Sequence, residues 1–143
     1  MKNPSQPRPG PDGTPVSVLA ERMQKGNLMA AACPSREVLR HVTSKWGVLV
    51  LVVLEGGTHR FAELRRKIEG VSERMLAQTL QALEGDGLVD RVAYEVVPPH
   101  VEYSLTPLGA QAAERVRVLA DWIETNLFAI LDARSAREAT PAG

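Results

Sequence analysis

Apolar side chains recur along this chain with changing period, and each change marks an element. Phe61, Leu64 and Ile68 fall at helical spacing with Glu63, Arg65, Arg66 and Lys67 facing outward, and Gly70 ends the run. Ser72 is a natural N-cap for a second helix, in which Met75, Leu76, Leu80 and Leu83 form an inner stripe until Gly85 and Gly87 stop it. Leu88 to Tyr94 and Val101 to Leu105 mix β-branched, aromatic and polar residues and read as two strands joined through Pro98-Pro99. A short strand also fits Thr58 to Arg60. Thr106-Pro107 then opens a long helix whose apolar stripe, Leu108, Ala112, Val116, Leu119, Ile123, Leu127 and Ile130, advances by steps of three or four.

The first third is less regular. Lys2 to Pro15 holds five prolines and two glycines and no aliphatic side chain, so it cannot bury enough surface to offset its ordering entropy; a flexible tail is expected over 1–15. Residues 16–32 form an extension in which Leu19, Met23 and Met29 suggest a helix interrupted by Gly26 and Asn27. Pro34 and Ser35 followed by Glu37 open a firmer helix with Val38, Leu39 and Val42 on its inner face. Lys45 to Leu54 is almost wholly apolar and valine-rich, so periodicity alone allows a buried strand or a buried helix, ended in either case by Gly56-Gly57. The organisation read from these patterns is a tail over 1–15, an extension over 16–32, a body over 33–106, a terminal helix over 107–132 and a frayed end over 133–143.

A length of 143 residues suits one domain with one modest core. Seventeen basic residues balance seventeen acidic ones, so any surface for nucleic acid must be a local patch rather than a bulk field. Met1 to Pro15 lacks a signal-type apolar segment, and the longest apolar run, Trp46 to Leu54, falls far below the roughly 20 residues of a membrane span, so a soluble cytoplasmic protein without membrane contact is expected. No phosphate loop, nucleophile elbow or carboxylate pair is present, and His41, His59 and His100 lack metal-ligand spacing. The expectation is therefore no enzyme, no metal and no cofactor.

Helix, turn of about four residues, capped helix and two-strand hairpin is the order of a winged helix-turn-helix, a mainly α fold with a small β-hairpin. In that layout the second helix enters the major groove of double-stranded DNA. Ser72, Glu73, Arg74, Met75, Gln78 and Thr79 then face base edges, with His100 on the hairpin beside them. Arginine pairs bidentately with guanine and glutamine with adenine, which singles out Arg74 and Gln78. Arg60, Arg65, Arg66 and Lys67 would meet phosphates, positioning the protein without reading sequence. Glu73 is unfavourable near phosphate and fits best as a charge at the helix N-terminus.

An ordered set of short motifs resembles the HxlR-type family of bacterial regulators. It comprises Cys33-Pro34, Lys45-Trp46, Arg60-Phe61, Glu63-Leu64-Arg65, Gly70-Val71-Ser72, Met75-Leu76, Gln78, Leu80, Leu83-Glu84, Asp86-Gly87-Leu88-Val89 and Arg91. Val97-Pro98-Pro99, Val101-Glu102-Tyr103, Leu105-Thr106 and Leu108-Gly109 continue it, so that it covers most of the chain from Cys33 to about Leu127. The resemblance implies a winged helix, a helical Lys45 to Leu54, dimerisation through the terminal helices, and regulation of nearby genes. Two features depart from it: Thr79 stands where relatives often carry a basic residue, and the extension before Ala32 is longer than usual.

The stripe on the last helix exceeds what a small winged domain needs, so Leu108, Ala112, Val116, Leu119, Trp122, Ile123 and Leu127 are expected at a homodimer interface, with a pseudo-palindromic operator following from two-fold symmetry. Cys33, the single cysteine, directly precedes a helix start, where the dipole favours thiolate. The resemblance extends to members that sense oxidants or electrophiles through this position, which implies an oxidant or small-molecule effector; the competing reading is a small packing residue. The alternative at the level of function is a winged helix that binds protein or small ligands with little affinity for DNA.

Overall fold

A computed structural model describes residues 33–139, together with Met29 and the short segments 8–9 and 15–16. The expected tail and the expected helix over 16–32 otherwise lie outside the described residues. The chain divides into two units, Met1–Arg40 and His41–Gly143.

In the first unit, β1 (Arg8–Pro9) pairs antiparallel with β2 (Pro15–Val16). The helix α1 (Pro34–Thr43) begins here, with the Cys33 carbonyl accepting the Arg36 N–H at 3.0 Å and Glu37 in its first turn. Val38 and Leu39, expected to point inward, are instead exposed.

The second unit is built around α2 (Lys45–Leu54). Its nearly continuous apolar sequence is helical because it is enclosed on several sides, by the helices that follow and by the sheet, rather than on one face. Ser44 caps it, its hydroxyl accepting the Gly47 N–H at 3.1 Å, and Val50, Leu51 and Leu54 are buried. Then come β3 (His59–Arg60), α3 (Phe61–Lys67), α4 (Glu73–Gly85), the hairpin β4 (Val89–Tyr94) and β5 (His100–Leu105), α5 (Pro107–Thr125) and α6 (Leu127–Ala139). The sheet is antiparallel in the order β3-β5-β4, with His59 opposite Tyr103 and Val89 opposite Leu105. One core joins these parts: Leu51 from α2, Leu64 from α3, Leu76, Leu80 and Leu83 from α4, Val89 from the hairpin root, and Ala113 and Val116 from α5.

Local chemistry fixes the joints. Gly70 turns the chain between α3 and α4 at φ +88°, which only glycine adopts readily. After α4, Gly87 takes φ +75°; its N–H reaches the Glu84 carbonyl at 3.0 Å and the Leu88 N–H reaches the Leu83 carbonyl at 3.0 Å, the paired bonds of a Schellman end. Thr106 caps α5 by accepting the Gly109 N–H at 2.9 Å, while its own hydroxyl donates to the Gly87 carbonyl at 2.7 Å, tying the end of α4 to the start of α5.

The single terminal helix expected over 107–132 is two helices, broken at Asn126, whose side-chain amide donates to the Trp122 carbonyl at 2.8 Å. Thr125 and Asn126 are both weak helix formers, which places the break there. Helix also continues to Ala139, beyond the frayed end expected from 133. Arginines and alanines in 133–139 favour helix intrinsically, a contribution that outweighs the absence of an apolar stripe.

Candidate nucleic-acid interface

The candidate surface is organised by α4. Ser72 is its N-cap in extended conformation, and its hydroxyl accepts the Met75 N–H at 3.1 Å. Leu76, Leu80 and Leu83 lock one face into the core, so the opposite face must point away. On that face Glu73, Arg74, Met75, Ala77 and Gln78 are exposed. Met75, read from sequence as part of the inner stripe, is 41% exposed and stands with Arg74 on the outer side. Thr79 is half-buried, and its hydroxyl donates back to the Met75 carbonyl at 2.7 Å, occupying the one donor it could offer a ligand. Glu73 sits in the first turn, where its charge complements the helix dipole.

Preceding α4, the cations divide. Arg60, Arg65, Arg66 and Lys67 are all exposed. The Glu63 carboxylate accepts the Arg60 N–H at 3.0 Å at the start of α3. That bond holds the Glu63 carboxyl below the ordinary carboxylate range against the opposing effect of desolvation, with His59, Arg60 and Arg66 helping. Arg60, Glu63 and Arg66 therefore form one cluster. Lys67 joins it differently: its ammonium lies 2.7 Å from Nε2 of His59, a side chain only 6% exposed. Sequence reasoning takes His59 for a surface or packing residue, because its significance comes from a contact eight residues on that no spacing motif encodes.

Strand β4 is buried at Val89 and open beyond it, whereas β5 is half-buried and sets Tyr103 into the core. His100 does not project alone: its ring stacks on Tyr94 with centroids 4.9 Å apart, and Nε2 lies 3.5 Å from the Glu102 carboxylate. Glu102 also accepts from the Tyr94 hydroxyl and raises its pKa. His100 is thus engaged within the hairpin. A shallow groove between α4 and the hairpin is lined by Ala77, Gln81, Glu84, Arg91 and Tyr103. Among the described residues no group of three His, Cys, Asp or Glu side chains comes together to hold a metal, and no helix is long and apolar enough to cross a membrane.

The residues expected at a dimer interface also separate. Val116 is 6% exposed and Ala112 packs half-buried against the core, so both are used within the chain; their position on the stripe coincides with the segment of α5 that lies on α2. Leu108, Leu119, Trp122, Ile123 and Leu127 are exposed, joined by Val118, Phe128 and Leu131, which sequence reading did not single out. Cys33 is half-buried.

Known proteins share this arrangement. The uncharacterized HTH-type transcriptional regulator YtfH of Escherichia coli (strain K12) is 66% identical over 121 residues, covering 85% of this chain and 96% of its own. The solved structure of the transcriptional regulator ytfH from Salmonella typhimurium has 68% identity and a TM-score of 0.73, over 76% of this chain and 97% of that one. The redox regulator HypR in its reduced form is 35% identical with a TM-score of 0.63, over 69% of this chain and 98% of that one. The HxlR-like helix-turn-helix family model matches residues 41–130. From the cap at Ser72 to the sheet behind it, the chain is a winged helix-turn-helix transcriptional regulator, and it belongs to the HxlR-like family.

Proposed function

We propose that the protein is a homodimeric, sequence-specific DNA-binding regulator that works in the cytoplasm, reads base edges with α4 and answers an oxidant through Cys33. The observation that carries the DNA reading is the two-sidedness of α4: Leu76, Leu80 and Leu83 fix its inner face, while Arg74 and Gln78 stand exposed in its first two turns with the side-chain types suited to guanine and adenine edges. Arg60, Arg65, Arg66 and Lys67 supply sequence-independent charge against the backbone. A two-fold dimer through the exposed residues of α5 and α6 would set two such helices about one DNA turn, ~34 Å, apart on a pseudo-palindrome.

Binding to the DNA upstream of the protein's own coding region, followed by gel shift, tests this. Arg74→Glu is expected to abolish specific binding, and Arg74→Ala to cost about 1–3 kcal/mol with relaxed specificity at one base pair. Native affinity in Arg74→Glu would leave a protein-binding or small-ligand module as the better description.

The redox part rests on Cys33 lying just before Pro34 at the start of α1, and on the likeness to HypR. Diamide would take two electrons and two protons from the Cys33 thiols of two subunits, leaving one disulfide. The expected result is a change in operator affinity in native protein that Cys33→Ser lacks; equal behaviour of the two proteins eliminates the sensor.

A further inference from the structure

We infer that His59 is a positioning residue for DNA binding: it holds the Lys67 ammonium in place as one of the phosphate-binding groups beside Arg60 and Arg66. The inference rests on the DNA-binding reading above and adds to it a residue that touches no DNA.

The hydrogen-bond chemistry of His59 leaves one arrangement. Nδ1 lies 2.7 Å from the Gly57 carbonyl oxygen, which can only accept, so Nδ1 carries the proton. Nε2 lies 2.7 Å from the Lys67 ammonium, which can only donate, so Nε2 presents its lone pair. In that pairing both ring nitrogens are satisfied, and the residue is only 6% exposed. Its backbone is held as firmly: His59 pairs with Tyr103 in β5, and β3 runs straight into α3. A rigid acceptor thus reaches out from the sheet to the last residue of α3.

The consequence for Lys67 follows from its own chemistry. A lysine side chain on a surface samples many rotamers, and a phosphate contact must otherwise remove that freedom. Here one N–H is already committed to His59, the chain is already placed, and two N–H donors remain for a ligand. The cluster around it is cationic on balance, with Arg60, Arg66 and Lys67 against Glu63, whose carboxylate is itself occupied at the Arg60 N–H. A phosphate oxygen fits the two remaining donors. Among the described residues Arg65 has no such anchor and differs in that respect from Lys67.

The test measures the salt dependence of affinity for the duplex upstream of the protein's own coding region, using native protein, Lys67→Ala, His59→Leu and the double variant. Melting curves accompany each protein. Each neutralised phosphate contributes about −0.9 to the slope of log affinity against log salt. Lys67→Ala is therefore expected to flatten the slope by about 0.9, so that its deficit against native protein shrinks about three- to fourfold between 50 and 200 mM salt. His59→Leu should weaken binding to a similar degree, the double variant should be no weaker than either single one, and His59→Gln, whose amide can both donate to Gly57 and accept from Lys67, should restore most of the loss. Should His59→Leu unfold, His59→Asn replaces it, being too short to reach Lys67. A native slope in the His59 variant, or losses that multiply in the double variant, would overturn the positioning role. If Lys67→Ala keeps the native slope while native protein binds, the inference falls and the DNA-binding reading stands; if native protein binds no duplex at all, both fall.

Discussion

Along α4, Leu76, Leu80 and Leu83 are at most 1% exposed, whereas from the later turns of α5 into α6 Leu119, Trp122, Ile123, Leu127 and Phe128 all stand open, Phe128 at 83%. Both regions carry apolar residues at helical spacing, and nothing in the spacing distinguishes them. The difference lies in what surrounds each helix. The inner face of α4 lies over α2 and the root of the hairpin, while α5 has α2 beneath only the segment that includes Ala113 and Val116. A stripe covered by its own chain contributes to folding; one left open contributes only when something else covers it.

The largest effect that would sharpen this contrast is in α4. Leu80→Ala removes a side chain that is 1% exposed and fully enclosed, and should cost about 2–5 kcal/mol in chemical denaturation, independent of protein concentration. A loss below about 1 kcal/mol would mean that the α4 face is less tightly packed than its burial indicates.

Trp122→Ala addresses the open stripe. Trp122 is 58% exposed in the single chain, so its removal should barely alter the intrinsic stability of the second unit. In a dimer it would be an anchor of the kind whose truncation costs about 2–4 kcal/mol of association. Sedimentation equilibrium should therefore show a weaker dimer, and the melting temperature should become more dependent on concentration. If native protein and variant are both monomeric at micromolar concentration, the open stripe serves another partner.

Much of this was legible beforehand because it is local. Ser72, Gly70 and Gly87 announce their roles through backbone chemistry, and the order of helix, turn, helix and hairpin follows from the patterns they punctuate. Periodicity leaves Lys45 to Leu54 open between strand and helix because its almost unbroken apolar run carries no alternation to separate the two, and only the family resemblance implies the helix. Val116 was placed at an interface and lies in the core, since a stripe does not say which of its turns is covered from within. The candidate site divides in the same way. Arg74 and Gln78 could be read from their place after a cap, but the bond between Lys67 and His59 depends on how β3 and α3 fold back on each other. Met75 reads from sequence both as part of the inner stripe and among the groove-facing residues, because it adjoins Leu76 and only the exact rotation of α4 decides which of the two is buried; it is Met75 that stands exposed.

The smallest effect concerns polar groups at the surface, where neither kind of burial operates. Glu63 accepts the Arg60 N–H at the start of α3, and this bond to its charged form holds its folded pKa below that of the unfolded chain. A group shifted in that direction stabilises the fold above its unfolded pKa, about 4.3 for a glutamate, and loses that contribution as pH falls through the lower folded value. Glu63→Gln retains an oxygen that can accept the same bond but removes the charge. Native protein should therefore melt slightly above the variant at neutral pH, and the two curves should converge as the solution is acidified below the ordinary carboxylate range. A gap that stays constant with pH would assign the contribution of Glu63 to side-chain packing rather than to its charge, and one that widened on acidification would reverse the sign of the shift.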